Sequence, residues 1–127
     1  MQARGTDFVM YEVSDLERSV AFYRDVLGLS LASFHPEFSW AEFAAAPTTL
    51  ALFAPAQFRP QAPAPRAGGA AVFLAVADVP AAVDELRRQG VPVLVEPFET
   101  PVCWNAAVAD PDGNVVGLHQ RKDGTWG

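Results

Sequence analysis

The sequence predicts an α+β domain built from two βαβββ repeats whose curved mixed sheets surround a cleft. The first observation is the order of β-rich and helix-periodic segments in residues 1–54, which returns in residues 70–121. The second is the segment between them, residues 55–69, which is rich in proline, ends in two glycines and is typical of a linker. The third is the length of 127 residues, which suits one ordinary domain with a core rather than two.

The first repeat begins with a β-rich run over residues 7–13 and continues into a helix. Ser14 and Glu17 have the spacing of a capping box, in which each side chain bonds to backbone N–H groups at the helix start. Apolar side chains then recur on one helix face until Gly28, which we expect to end the helix. The remaining strands of this repeat are predicted over residues 29–34, 40–45 and 48–53.

The second repeat follows the same order of elements. A strand over residues 71–76 precedes a helix that Asp78 caps, that tolerates Pro80 in its first turn and that ends at Gly90. The remaining strands are predicted over residues 91–95, 102–109 and 115–120.

A tight turn precedes the last strand. Its sequence is Asp-Pro-Asp-Gly-Asn, residues 110–114. The proline presets φ, Asp112 is placed to bond to its local backbone, and Gly113 takes a positive φ without strain. The strand that follows contains Gly117, and a glycine inside a strand usually marks a bulge or a close approach by a ligand or another backbone.

The two repeats superpose in sequence at a shift of 63 residues, which places Asp15 on Asp78. At the last strands the shift is 66, which places Ala51 on Gly117. Two units are too few for a solenoid, so the repeat predicts a duplicated module. Each sheet covers one face with its helix, and we expect the two remaining faces to curve into a cleft, the usual place for a small ligand.

Composition and charge exclude several functional classes. The net charge of −6 and pI near 4.7 argue against a nucleic-acid partner, which requires a basic surface. A single cysteine, Cys103, excludes an internal disulfide and a cysteine-rich zinc site. No stretch approaches the roughly 20 apolar residues of a membrane span, and the polar start is not a signal peptide. We therefore expect a cytoplasmic protein with no membrane partner.

Two segments carry a family resemblance. Residues 14–29 have the sequence SDLERSVAFYRDVLGL, and residues 110–114 form the Asp-Pro-Asp-Gly-Asn turn before a strand. They resemble the first helix and the last turn of the glyoxalase / bleomycin-resistance / extradiol-dioxygenase group, the vicinal oxygen chelate superfamily. The resemblance implies a glyoxalase-like fold over nearly the whole chain. It implies no particular reaction, because these residues build helix packing and turn geometry rather than a site.

The resemblance also implies a divalent metal, held by His, Gln or Glu from the first and fourth strands of each repeat. Carried over one at a time, these ligand positions fall on Phe8, Ala51, Ala71 and Gly117. None of these side chains has a donor atom. A slip of one residue turns the side chains to the other face, and a slip of two offers only Met10 and His119. We therefore expect the usual metal site to be missing, and we expect no cofactor.

Alternation along the strands assigns side chains to the cleft. It predicts a mostly apolar, aromatic site with a few polar groups, as small-molecule sites have. Trp104 is as suitable as Asn105 for lining the cleft, so the sequence leaves open which of the two side chains faces it. The candidate ligand-binding residues are Phe8, Met10, Trp40, Glu42, Phe53, Phe73, Asn105 and His119.

The same residues also have structural explanations. A histidine near a strand end, such as His119, is commonly a partly exposed polar residue rather than an acid or base. Glu12 and Glu42 fit the rim of a sheet as well as a catalytic role. The aromatic side chains fit core packing as well as a ligand platform.

Three functions fit these features. The first is a metal-free protein that binds a small cationic or aromatic molecule by stacking and by pairing with Glu12 or Glu42, similar to the bleomycin-resistance branch of the family. The second is a lyase, isomerase or dioxygenase, with a metal displaced to Glu12, Glu42 and His119 or with His119 as acid or base. The third is a structural or regulatory module whose cleft serves dimerisation. The resemblance implies a homodimer.

Overall fold

The computed structural model describes residues 1, 2, 4 and 7–126, and it divides the chain into two compact units. Unit 1 comprises residues 1–66 and unit 2 comprises residues 67–127. Each unit holds one βαβββ repeat and one four-stranded mixed sheet, which confirms the predicted α+β class. Within the described residues, no helix combines the length and the apolar character needed to span a membrane.

In unit 1 the sheet has the strand order β1-β4-β3-β2, with β1 parallel to β4 and the other neighbours antiparallel. Helix α1 continues directly into a π-helical turn, and the first residues of the predicted linker form a short helix, α2. The elements of unit 1 are β1 (Phe8–Glu12), α1 (Leu16–Ala21), the π-helical turn (Phe22–Val26), β2 (Ser30–His35), a 3₁₀-helical turn (Pro36–Phe38), β3 (Trp40–Ala45), β4 (Thr48–Phe53) and α2 (Pro55–Phe58).

The core of unit 1 lies between the first helix and one face of the sheet. Tyr23, in the π-helical turn, is completely buried, and its ring lies 5.9 Å from that of Phe43 on β3. Tyr11 on β1 extends the same group, with its ring 6.5 Å from that of Tyr23. Because burial of large apolar surface is the main favourable term in folding, these rings hold the helix on this face.

Helix α1 begins differently from the prediction. The N-cap is Asp15, whose carboxylate accepts a hydrogen bond from the Arg18 backbone N–H at 3.1 Å. The Ser14 hydroxyl accepts a bond from the Arg18 guanidinium at 2.7 Å, and the residue at the N-cap position is Asp15 rather than Ser14. Aspartate and serine are about equally good N-caps, and the apolar pattern alone does not distinguish neighbouring positions.

Unit 2 repeats this architecture, with the strand order β5-β8-β7-β6 and β5 parallel to β8. Val79, Val83 and Leu86 of its helix are buried against the sheet, as their spacing predicted. The Asp78 carboxylate caps this helix by accepting a bond from the Ala81 N–H, also as predicted. The elements of unit 2 are β5 (Val72–Ala75), α3 (Val79–Arg88), β6 (Val93–Glu99), β7 (Cys103–Ala109) and β8 (Val115–Arg121).

The turn between β7 and β8 is organised by Asp110, which is buried. Its carboxylate accepts hydrogen bonds from the backbone N–H groups of Asp112 at 2.9 Å and Asn114 at 2.7 Å, and from the Asn114 side-chain amide at 2.9 Å. Gly113 has the predicted positive φ, +82°. The first aspartate of the motif, Asp110, thus supplies a carboxylate that closes the turn, a role that the sequence analysis did not assign to it.

A side-chain amide fastens the start of both helices, and the sequence analysis missed it. The Gln57 side chain accepts a bond from the Leu16 N–H at 2.9 Å, and the Gln120 side chain accepts one from the Val79 N–H at 3.0 Å. Both bonds join residues 41 positions apart. Each glutamine follows or ends the fourth strand of its own unit, so each helix start is fixed to its own sheet.

Candidate functional site

Each sheet has an open face, which is the face opposite its helix. In unit 1, Tyr11 points into the core, whereas Phe8 and Met10 are 45% and 39% exposed. Alternation therefore places Phe8, Met10 and Glu12 on the open face, as predicted. On β3, Ala41 and Phe43 are buried toward the helix, so Trp40 and Glu42 also share the open face.

The open face of unit 1 carries a group of four rings, here called the aromatic cluster: Phe8, Trp40, Phe53 and Phe58. The Phe8 and Trp40 ring centroids are 5.6 Å apart in an edge-to-face arrangement. The Phe53 ring lies 6.1 Å from Trp40 and 6.1 Å from Phe58. These distances are typical of interacting aromatic pairs, so the four rings form one continuous apolar surface.

A carboxylate is fixed at the edge of this cluster. The Trp40 indole N–H donates a hydrogen bond of 2.9 Å to Oε1 of Glu42, two residues along the same strand. The other oxygen, Oε2, makes no hydrogen bond with the described residues. The bond holds both side chains in one orientation and leaves a negative charge next to aromatic rings.

The open face of unit 2 is built around Phe73 and Gly117, which are partners across β5 and β8. The Phe73 ring lies directly on the glycine: a Cβ added at position 117 would lie 2.5 Å from Cε1 and 2.6 Å from Cγ of the ring. Such distances are far shorter than carbon–carbon contacts allow. The interior glycine therefore marks a close approach by a side chain, rather than by a ligand or another backbone as the sequence analysis expected.

Polar groups occupy the β7 side of this face. The thiol of Cys103 lies 3.0 Å from the Thr100 hydroxyl and accepts a bond of 3.0 Å from the Asn105 amide. Asn105 is the strand partner of His119, so both lie on the open face with Phe73. Trp104 pairs with Gln120, whose side chain bonds to the helix, so Trp104 belongs to the opposite face. This settles the choice between Trp104 and Asn105.

His119 also lines an open groove of about 670 Å³ at the end of β5 and β8. Its imidazole makes no hydrogen bond with the described residues, while its backbone carbonyl accepts one from Val76. The groove includes Trp126, near the C-terminus, which the sequence analysis did not consider.

The residues at the family's metal positions do not fit a metal ion. In unit 1, Phe8 belongs to the aromatic cluster, and Ala51 is completely buried between its strand partners Met10 and Glu42. In unit 2, the Phe73 ring fills the space that a side chain at position 117 would need. Among the described residues, no three His, Cys, Asp or Glu side chains are grouped so as to hold a metal ion.

The structure thus brings some of the predicted site residues together within each unit. In unit 1, Phe8, Trp40, Glu42 and Phe53 form a single group, whereas Glu12 lies at the end of β1 beside Phe53. The sequence analysis missed Phe58, because it lies in the segment expected to be a linker. An aromatic residue four positions into that segment was the available signal.

The family relationship follows from comparison with known proteins. A family model described as the Glyoxalase/Bleomycin resistance protein/Dioxygenase superfamily matches residues 5–118. The structure of TnmS3, an antibiotic binding protein from Streptomyces sp. CB03234, is 32% identical with a TM-score of 0.73, and the match covers 96% of this chain and 99% of that one.

Two further relatives are more distant. The virulence protein STM3117 of Salmonella typhimurium is 28% identical over 119 residues, 90% of this chain and 82% of that protein. A lactoylglutathione lyase from Agrobacterium tumefaciens is 22% identical with a TM-score of 0.72, covers 94% of this chain and 96% of that one, and shares the fold alone. Since the family model spans most of the chain, this protein belongs to the Glyoxalase/Bleomycin resistance protein/Dioxygenase superfamily, as its first helix and last turn predicted.

Proposed function

We propose that this protein binds a small, planar, cationic aromatic molecule on the open face of unit 1, without a metal. The observation that carries the proposal is the aromatic cluster with the Glu42 carboxylate fixed beside it by the Trp40 indole. The cluster offers a stacking surface, and the carboxylate offers a partner for a positive charge.

The binding energy would come from two kinds of contact. Stacking and cation–π contacts on the faces of Trp40 and Phe8 contribute about 0.5–2 kcal/mol each. A charge-assisted bond from the ligand's cationic group to Oε2 of Glu42 adds about 1.5–3 kcal/mol. Because the indole bond already orients Glu42, little side-chain entropy is lost when the ligand binds.

A relative supports this class of function. TnmS3, 32% identical over nearly the full length of both chains, is named as an antibiotic binding protein. Capture of an intact molecule needs no catalytic constellation. The printed role of this relative therefore favours binding over the lyase, isomerase or dioxygenase alternatives.

The absence of a metal is part of the proposal. The four family ligand positions in this chain have no donor atom, and the Phe73 ring occupies the space beside Gly117. Metal analysis of the purified protein, before and after loading with Mn, Fe, Ni or Zn, tests this point. Stoichiometric metal held through side chains would contradict it.

We also propose that the chain forms a homodimer. β6, an edge strand of unit 2, leaves Leu94, Val95 and Phe98 about half exposed, and apolar groups of this kind mark interaction surfaces. Light scattering coupled to gel filtration should give the mass of two chains. A monomer at all concentrations tested would contradict the assignment.

Binding is best tested with a cationic probe and a neutral probe of the same shape. Proflavine is a planar cation, and acridone is a neutral molecule of similar size. The chain has three tryptophans, so their ¹⁵N-labelled indole N–H signals report the site, once Trp→Phe variants assign them. We expect proflavine to shift the Trp40 signal saturably and acridone to bind more weakly.

The variant Glu42→Gln isolates the charge, because the glutamine oxygen still accepts the indole bond while the negative charge is lost. We expect it to weaken proflavine binding about tenfold, as the loss of one charge-assisted contact predicts. The matched control is Glu85→Gln, which removes one charge from α3 in unit 2. If the two variants bind proflavine equally well, or if no probe shifts Trp40, the proposal is wrong.

A further inference from the structure

We propose that the groove of unit 2 is a second binding site, which takes a planar aromatic carboxylate. All residues that line this groove belong to unit 2, and the proposal goes beyond the function proposed above. The proposal rests on the shape of the groove, on the charge of its lining and on a hydrogen-bonded turn that places a second indole in it.

The groove has the size of a small-molecule site. Its volume of about 670 Å³ falls within the range of roughly 300–1,000 Å³ that is usual for ligand pockets. Trp104 and Trp126 supply two indole rings, and Ala75 and Ala77 add small apolar surface at the end of β5. Indole rings interact with other aromatic rings in offset-stacked or edge-to-face arrangements.

The lining carries positive charge and no negative charge. Arg121 and Lys122 line the groove, and no aspartate or glutamate does. The Lys122 ammonium is held by Glu99 at 2.6 Å, so its charge is largely compensated. The Arg121 side chain donates one bond of 3.3 Å to the Thr125 hydroxyl and makes no other hydrogen bond with the described residues. Its charge also interacts with the Asp123 carboxylate, which does not itself line the groove. A guanidinium fork matches a carboxylate in geometry as well as in charge.

His119 provides a further polar contact. Its imidazole lines the groove and bonds to none of the described residues. One ring nitrogen is a donor and the other an acceptor in the neutral form. The imidazole is therefore placed to donate to a carboxylate that Arg121 holds.

The C-terminal turn forms one wall of this groove. The Asp123 carboxylate accepts hydrogen bonds from the Thr125 backbone N–H at 2.9 Å and from the Thr125 hydroxyl at 2.7 Å. These bonds hold the pKa of the Asp123 carboxyl below its usual value. The Lys122 N–H also bonds to the Val102 carbonyl at 3.0 Å. The turn is thus tied to itself and to the start of β7. Trp126, which lines the groove and is 73% exposed, follows this turn directly.

The test uses the same indole signals as reporters of position. The probes are 2-naphthoate, an aromatic anion, and 2-naphthamide, its neutral counterpart of the same shape. We expect naphthoate to shift the Trp104 and Trp126 signals saturably, to leave Trp40 unchanged and to bind at least about tenfold more tightly than the amide. Equal affinity for the two probes, no shift, or a shift of Trp40 alone would overturn the proposal.

A charge variant with a matched control completes the test. Arg121→Gln should weaken naphthoate binding about tenfold and leave the amide unaffected, because only the carboxylate contact is lost. Arg88→Gln removes the same charge from the end of α3, outside the groove, and should bind naphthoate as the unmodified protein does. Equal losses in the two variants would show a general charge effect and overturn the assignment. Trp40 reports the site of unit 1 separately, so either proposal can fail alone.

Discussion

The two units follow the same chain path but carry candidate sites of opposite charge. In unit 1 the open face joins aromatic rings to the carboxylates Glu42 and Glu12. In unit 2 the Phe73 ring lies on Gly117, and the residues that line the groove at the end of the sheet include Arg121 and no acidic residue. The comparison shows that both units retain the helix caps and the sheet order of the fold, while the chemistry of their candidate sites differs.

Both units share the way in which the helix after their first strand begins and ends, and a glycine with positive φ follows that helix in each. Asp15 and Asp78 cap the two helices, and Gln57 and Gln120 bond to the first helical N–H groups. On the open faces, the fourth-strand residue is small in both units, alanine in one and glycine in the other.

The largest expected loss of stability concerns the turns that join the third and fourth strands of each unit. Unit 1 makes this connection with two residues, whereas unit 2 depends on the buried Asp110 carboxylate. Asp110→Ala leaves two backbone N–H groups and an amide without their acceptor. We expect the free energy of unfolding to fall by about 2–4 kcal/mol in urea denaturation.

Asp110→Asn is the milder companion variant, because its amide oxygen still accepts part of these bonds. It should retain a share of the stability lost in Asp110→Ala. If Asp110→Ala unfolds at the same urea concentration as the unmodified protein, the carboxylate does not organise the turn.

A smaller loss of stability is expected from Gly117→Ala, and it tests how the packing of the two open faces differs. Gly117→Ala places a methyl group inside the Phe73 ring, so the ring must move and stability should fall by about 1–3 kcal/mol. Phe73→Leu should relieve this clash, and a double-mutant cycle from urea denaturation measures the coupling. The same cycle on Ala51 and Met10 in unit 1, with Ala51→Gly, should show much weaker coupling. Equal coupling in both units would contradict the difference in packing.

The smallest effect should be the same in both units. Gln57→Ala and Gln120→Ala each remove one acceptor from a helix start, and each should cost about 1 kcal/mol, like the loss of an N-cap. Gln61→Ala, in the proline-rich segment, serves as the control and should leave the thermal midpoint unchanged. A loss in only one of the two variants would show that the shared bond is not equally important.

The sequence analysis correctly predicted the features that depend on residues close together in the chain. Strands β3 and β4 have the predicted bounds, and alternation correctly placed Phe8, Trp40 and Phe73 on the open faces. The helix ends at Gly28 and Gly90 also agree with the positive φ found there. Hydrophobic periodicity and turn residues are sufficient to predict strand bounds, strand faces and helix ends, because these depend on residues that are close in sequence.

The missed features depend on contacts between distant segments. The bonds from Gln57 and Gln120 span 41 residues each, and a propensity pattern contains no trace of them. Phe58 joins the aromatic cluster only because α2 packs its ring against Phe53. Trp126 reaches the groove through a turn held by Asp123 and Thr125, a short polar stretch that resembles any solvated tail.

The two glutamine bonds have a consequence for how the chain can be divided. Each helix start is fastened by a residue of its own unit, so neither helix depends on the other unit for its first turn. A gene cut within residues 60–66 would give two polypeptides, each with a full set of strands and a complete helix start. One unit could therefore be exchanged at this cut for the corresponding unit of a relative. The aromatic cluster with Glu42, or the groove with Arg121, would then be transferred together with the whole unit that carries it.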